Sequence, residues 1–199
     1  TYWALGLDEE AIQEHQQAAD LDPQWATPHN SLGDVYRAQG RYEEAIAAYQ
    51  HAIELDPKDA FPHHGLGIVY RDLKRTDEAI AAFQQAIALD PTDASPHNGL
   101  GTVYRDLKRY DEAIAEYGQA IALDPKYAYP HNGLGMVYRD LGRYDEAIAA
   151  FQQAIALDPQ YASPHNGLGN VYSDLKRTDE AIAEYGQAIA LDPTDASPP

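Results

Sequence analysis

The chain repeats itself every 34 residues, which restricts it to architectures made by stacking one small unit many times. The block ASPHNGLGTVYRDLKRYDEAIAEYGQAIALDPKY starts at Ala94, and related blocks start at Ala26, Ala60, Ala128 and Ala162, with no insertion in any of them. The array divides into full repeats at 26–59, 60–93, 94–127, 128–161 and 162–195 within one repeat domain spanning 1–199. Residues 1–25 read as the end of an earlier copy and 196–199 as the opening of another, so the chain is expected to be a fragment of a larger protein. The blocks at 60 and 128 share AAFQQAIALDP, and those at 94 and 162 share AEYGQAIALDP. That pairing points to duplication of a two-repeat unit.

Each block reads as two helices. Ser95-Pro96 is a start signal, an N-cap oxygen followed by proline at the first helical position. Leu107 closes that helix, and Lys108 or Gly142 holds a turn position that often needs a left-handed backbone. Asp111-Glu112 suits the start of the second helix, and Asp124-Pro125 ends it. At about 100° per residue, His97, Leu100, Gly101, Tyr104 and Leu107 share a stripe that must pack. Ser95, Asn98, Thr102, Arg105 and Asp106 lie opposite and are expected to be free.

Leu100-Gly101-x-x-Tyr104, followed by Ala113, Tyr117, Ala120 and Pro125, resembles the tetratricopeptide repeat, and the pattern returns in every full block. The resemblance implies an all-α fold, a right-handed α-solenoid of helix-turn-helix repeats. It also implies that the free face of each first helix lines a concave groove. Two departures stand out: His97 where the family usually has Trp, and Asn98-Gly99 where its Asn commonly sits one position later.

Several function classes fall away on the residues. The Gly-x-Gly of NGLG lacks the preceding strand and further glycine of a dinucleotide fingerprint, so Gly99 and Gly101 need a steric reason instead. One His per repeat, on first helices about 10 Å apart, cannot share a metal held at about 2 Å, and there is no cysteine. The expectation is no metal, no cofactor, no catalytic residue and no enzyme activity. A formal charge of −18 opposes nucleic acid and anionic membrane. No apolar run approaches the roughly 20 residues of a membrane span, and a cytoplasmic location is expected.

The free stripe supplies the candidate site. Asn30, Asn98, Asn132 and Asn166 form a ladder interrupted by His64; each amide offers a donor and an acceptor to a peptide main chain. Arg37, Arg71, Arg105 and Arg139 form a second ladder, open either to a ligand or to neighbouring acids. Phe61 and Ile68 recur as Tyr129 and Met136 two repeats on, while Thr102 and Asn170 hold the alternate places. The large residues read as apolar anchors, about 20 Å apart if each repeat advances about 10 Å. The expected partner is an extended protein or peptide segment, basic or neutral, with apolar anchors. Two alternatives are a scaffold that self-associates head to tail through uncapped ends, with Ile182, Tyr185 and Ile189 exposed, and a substrate-recruiting arm of an enzyme elsewhere in the parent chain.

Overall fold

The structure is a computed structural model and describes residues 8–193. Among the described residues the helices are α1 (Asp8–Leu21), α2 (Ala26–Ala38), α3 (Tyr42–Leu55), α4 (Phe61–Asp72), α5 (Thr76–Leu89), α6 (Ala94–Asp106), α7 (Tyr110–Leu123), α8 (Ala128–Asp140), α9 (Tyr144–Leu157), α10 (Ala162–Asp174) and α11 (Thr178–Leu191). Even-numbered helices are the first helices of the repeats and odd-numbered ones the second. The fold is an all-α helical-repeat solenoid whose chain falls into two compact units, divided between Leu100 and Gly101.

In the first unit, α2 packs on α1 and α3, α4 packs on α3 and α5, and α2 also meets α4. In the second, α8 packs on α7 and α9, α10 packs on α9 and α11, and α8 meets α10. The second helices α3, α5, α7 and α9 are each clasped between two first helices, and one aromatic ring at the centre of each is the pivot. Tyr49, Phe83, Tyr117 and Phe151 are fully buried, and each ring lies between two glycines. A Cβ on Gly33 would lie 2.5 Å from the Tyr49 ring and one on Gly65 2.4 Å from it. Gly67 and Gly99 bracket Phe83, Gly101 and Gly133 bracket Tyr117, and Gly135 and Gly167 bracket Phe151 in the same way. Both glycines of NGLG thus have a steric reason: one meets the ring of its own repeat, the other the ring of the repeat before.

The turn after each first helix is closed as its sequence suggests. Lys74, Lys108 and Lys176 have φ near 60°, and Gly40 and Gly142 have φ 71–72°. The Arg109 N–H reaches back to the Tyr104 carbonyl at 2.8 Å, the long-range bond of a left-handed helix stop.

Three expectations change. Leu107 does not pack with its stripe but is 42% exposed, because α6 has already ended at Asp106 and the chain is turning away. Ser95 does not cap: α6 starts at Ala94, and the Asp93 carboxylate accepts from the Ser95 N–H at 2.8 Å, as Asp59 does from Phe61 at 2.9 Å. In these two repeats that bond comes from the last residue of the preceding repeat. On α11, Ile182 and Ile189 are exposed, but Tyr185 is half-buried over Gly169, with its hydroxyl donating to Asn170 Oδ1 at 2.9 Å. Of the residues read as partial copies, 1–7 and 196–199 lie outside the described residues. Among the described residues, no helix is long and apolar enough to cross a membrane.

Candidate functional site

The face of each first helix depends on how that helix is held, and an arginine holds it. Arg109, just before α7, stacks on the Tyr104 ring at 4.5 Å and grips the Glu112 carboxylate through Nε and Nη2. The same trio recurs as Tyr36–Arg41–Glu44, Tyr70–Arg75–Glu78, Tyr138–Arg143–Glu146 and Tyr172–Arg177–Glu180. The hydrogen bond to arginine holds each of these glutamates below the usual carboxylate range. This clamp was not anticipated from the sequence, although its signal, Tyr-x4-Arg-x2-Glu, is present in every full block.

The second unit contains a concave pocket of about 630 Å³ between its repeats. Of the candidate residues, Arg105, Asn132, Met136, Arg139, Asn166 and Asn170 line it, with Phe151, Gly167 and Tyr161. Tyr129 stands beside it, half exposed, its ring 4.8 Å from Tyr161 and 5.4 Å from Tyr127. Thr102 lies in the same unit but is not a lining residue. Asn30, Arg37, Phe61, His64, Ile68, Arg71 and Asn98 belong to the first unit.

Much of the expected free face is engaged internally. Asn30 and Asn132 are buried, 6% and 4% exposed, so neither is free to clamp a peptide. Asn30 donates to Asp59 at 2.8 Å and Asn132 to the Tyr161 hydroxyl at 3.0 Å, tying each first helix to the end of its own repeat. Burial and neighbouring tyrosines push the Tyr161 hydroxyl up to about 12, so it stays protonated. Asn98 and Asn166 are half-buried. The arginine ladder is largely paired: Arg71 with Asp72 at 2.9 Å, Arg105 with Asp106 at 2.9 Å, and Arg139 with Asp174 at 2.8 Å. Arg37 sits 4.0 Å from Asp34, with its Nε buried and unmatched.

The alternation of large and polar residues has an internal cause. Where the clasped ring is tyrosine, the facing first-helix residue bonds its hydroxyl: Asp34 with Tyr49 at 2.6 Å, Thr102 with Tyr117 at 3.2 Å, Asn170 with Tyr185 at 2.9 Å. Where the ring is Phe83 or Phe151, that position is Ile68 or Met136, and Met136 packs against the cluster around Phe151. Phe61 remains an exposed aromatic, 51% accessible. His64 takes the place of an asparagine beside the Phe83 ring at 5.8 Å; burial lowers its pKa, against the pull of Asp93 and Asp34. Among the described residues no cluster of three or more His, Cys, Asp and Glu could hold a metal.

Paired helices, a glycine-clasped ring and a left-handed stop in each repeat define a tetratricopeptide-repeat protein, the fold of protein-interaction and scaffold modules. Residues 1–198 match the family described as the Cilia and flagella-associated protein 70 C-terminal domain, and the chain belongs to that family. Among solved structures it is similar to a chain of the APC/C hetero-tetramer Cut9-Hcn1, with a TM-score of 0.88 and 26% identity over 98% of this chain and 39% of that one. This chain therefore spans about two-fifths of the length of that relative. It is also similar to TTC0263, a thermophilic tetratricopeptide protein of Thermus thermophilus (TM-score 0.77, 26% identity, 86% and 93% covered), and to MamA (0.66, 29%, 83% and 96%). None of the curated proteins compared matches the chain.

Proposed function

We propose that the protein is a non-catalytic interaction module whose second unit holds an extended segment of a partner protein in the pocket between α8 and α10. The observation that carries this reading is the concavity itself, about 630 Å³, with Met136 at its floor over the buried Phe151 and the polar Asn166 and Asn170 beside it. Such a combination suits a bound segment: one apolar side chain is buried on the floor while amides meet the main chain. Tyr129, exposed at the edge, offers a further aromatic surface. The chain similar to it in the Cut9-Hcn1 hetero-tetramer also stands in an assembly with another protein.

Selection of peptides from a displayed random library tests the reading. Binders should be lost with Met136→Asp and Asn166→Arg and kept with Gln119→Arg, which alters an exposed position on α7. Helicity should be unchanged in all three. Binders indifferent to both groove substitutions, or no enrichment at all, would refute it.

A further inference from the structure

Counting the hydrogen-bonding capacity left over in the pocket shows what chemistry it offers. Asn132 offers nothing, because its Nδ2 serves Tyr161 and its Oδ1 is fully buried. Asn170 has committed its Oδ1 to the Tyr185 hydroxyl, so its remaining group is the Nδ2 donor. Arg105 places Nη2 on Asp106 but directs Nη1 at the Met136 sulfur, 2.9 Å away, and a thioether is a weak acceptor. Arg139 uses Nε on Asp174, leaving its two Nη groups. Lys108 adds an exposed ammonium at the rim. The lining therefore holds Arg105, Lys108 and Arg139 against Asp106 and Asp140, in a chain of net charge −18.

Resting on the groove reading, we infer that the segment bound by the second unit carries an acidic side chain two residues from its apolar residue, with the carboxylate received between Arg105 and Arg139. Among the charged lining groups the cations outnumber the anions, the guanidinium Nη groups of Arg105 and Arg139 are the uncommitted charged donors, and a carboxylate is the peptide group with acceptors only. Both arginines are positioned before binding: Asp106 holds one and Asp174 the other, with side chains 21% and 36% exposed. A carboxylate that replaces the sulfur at Arg105 Nη1 exchanges a weak acceptor for a charged one. The whole-chain charge opposes this only at long range, since at physiological ionic strength exposed charges are screened beyond about 8 Å. The chain charge alone suggested a basic or neutral partner; the pocket's own groups favour an acidic one.

The test uses the whole chain and three blocked peptides, acetyl-Gly-Ser-X-Ser-Leu-Ser-X-Ser-Gly-amide with X as Glu, Gln or Lys. Binding is followed by the side-chain amide resonances of Asn166 and Asn170. The Glu peptide should bind about five- to tenfold tighter than the Gln peptide, the gain of a charge-assisted over a neutral hydrogen bond, and the Lys peptide should bind most weakly. Asp174→Asn, which releases Arg139, should tighten the Glu peptide. Arg139→Gln in the Asp174→Asn background should bring Glu and Gln to within about twofold. Equal binding of all three peptides, tighter binding of the Lys peptide, or a Glu preference unchanged in the double variant would overturn the inference and leave the groove in place. If no peptide shifts either resonance at millimolar concentration, the groove reading falls and takes the inference with it.

Discussion

Gly133 and Gly118 invite the same substitution and should give opposite results. A Cβ on Gly133 of α8 would lie 2.4 Å from Tyr117 Cζ and 2.8 Å from its hydroxyl. The ring cannot retreat: it is fully buried, and on its other side a Cβ on Gly101 would already be 2.9 Å away. Alanine in a helix interior ordinarily gains about 0.5–1 kcal/mol over glycine, but forcing a methyl into a filled core costs about 1–3 kcal/mol. Gly133→Ala should therefore lose about 1–2 kcal/mol net. Gly118, inside α7, has nothing within 4 Å of its Cβ position, so Gly118→Ala should keep the helix gain. For a chain of this size, 1 kcal/mol moves the melting midpoint by about 2–4 °C. Thermal unfolding followed by circular dichroism should show Gly133→Ala lower by about 3–6 °C and Gly118→Ala higher by about 1–3 °C. If Gly133→Ala melts at or above the parent temperature, the ring is not clasped between backbones and the account of both NGLG glycines fails.

Other outcomes follow from the same contacts. Phe151→Tyr should lose about 1–3 kcal/mol, the cost of a buried hydroxyl facing Met136 without an acceptor, and adding Met136→Asn, which copies the Asn170–Tyr185 pair, should recover most of it in urea titrations. Burial lowers the pKa of His29, His63, His64 and His131 from 6.5, so the unfolded chain takes protons first as pH falls. Stability should be intact above 6.5 and decline as pH drops below it. His64→Asn, which restores the residue of the other repeats, should shrink the fall in melting temperature between pH 7.5 and pH 5.5; an unchanged fall would clear His64 of any part in it.

The repeat length, helix order, turn backbones and second-helix starts were all legible, because each rests on local signals: Lys108, Gly142, Asp111-Glu112 and Asp124-Pro125 act within a few residues of themselves. What the sequence hid depends on contacts across a repeat or between repeats. Asn132 looks like a groove amide on a helical wheel, yet it is buried by Tyr161, which lies 29 positions on. The wheel divides one helix into faces but cannot show that the end of the repeat folds back over one of them. Ser95 likewise carries the right chemistry for a cap, and Asp93 holds the right place. The Tyr104–Arg109–Glu112 clamp was written in constant spacing but joins two helices that the wheel treats separately.

The pairing of second-helix ring with first-helix partner means that the core and the groove are not independent. Met136 stands in the groove because Phe151 beneath it has no hydroxyl to satisfy, and Asn170 stands in the groove because Tyr185 has one. A single oxygen at the pivot therefore goes with whether the residue above it is apolar, as Ile68 and Met136 are, or polar, as Asp34, Thr102 and Asn170 are. Altering the chemistry of this surface then takes two coupled changes, one in the ring and one in its partner, and either alone leaves a buried hydroxyl unmatched or a polar partner without its donor. The inherited alternation of Tyr and Phe blocks supplies those changes already paired. Duplication of a two-repeat unit would copy a groove step together with the core position that supports it.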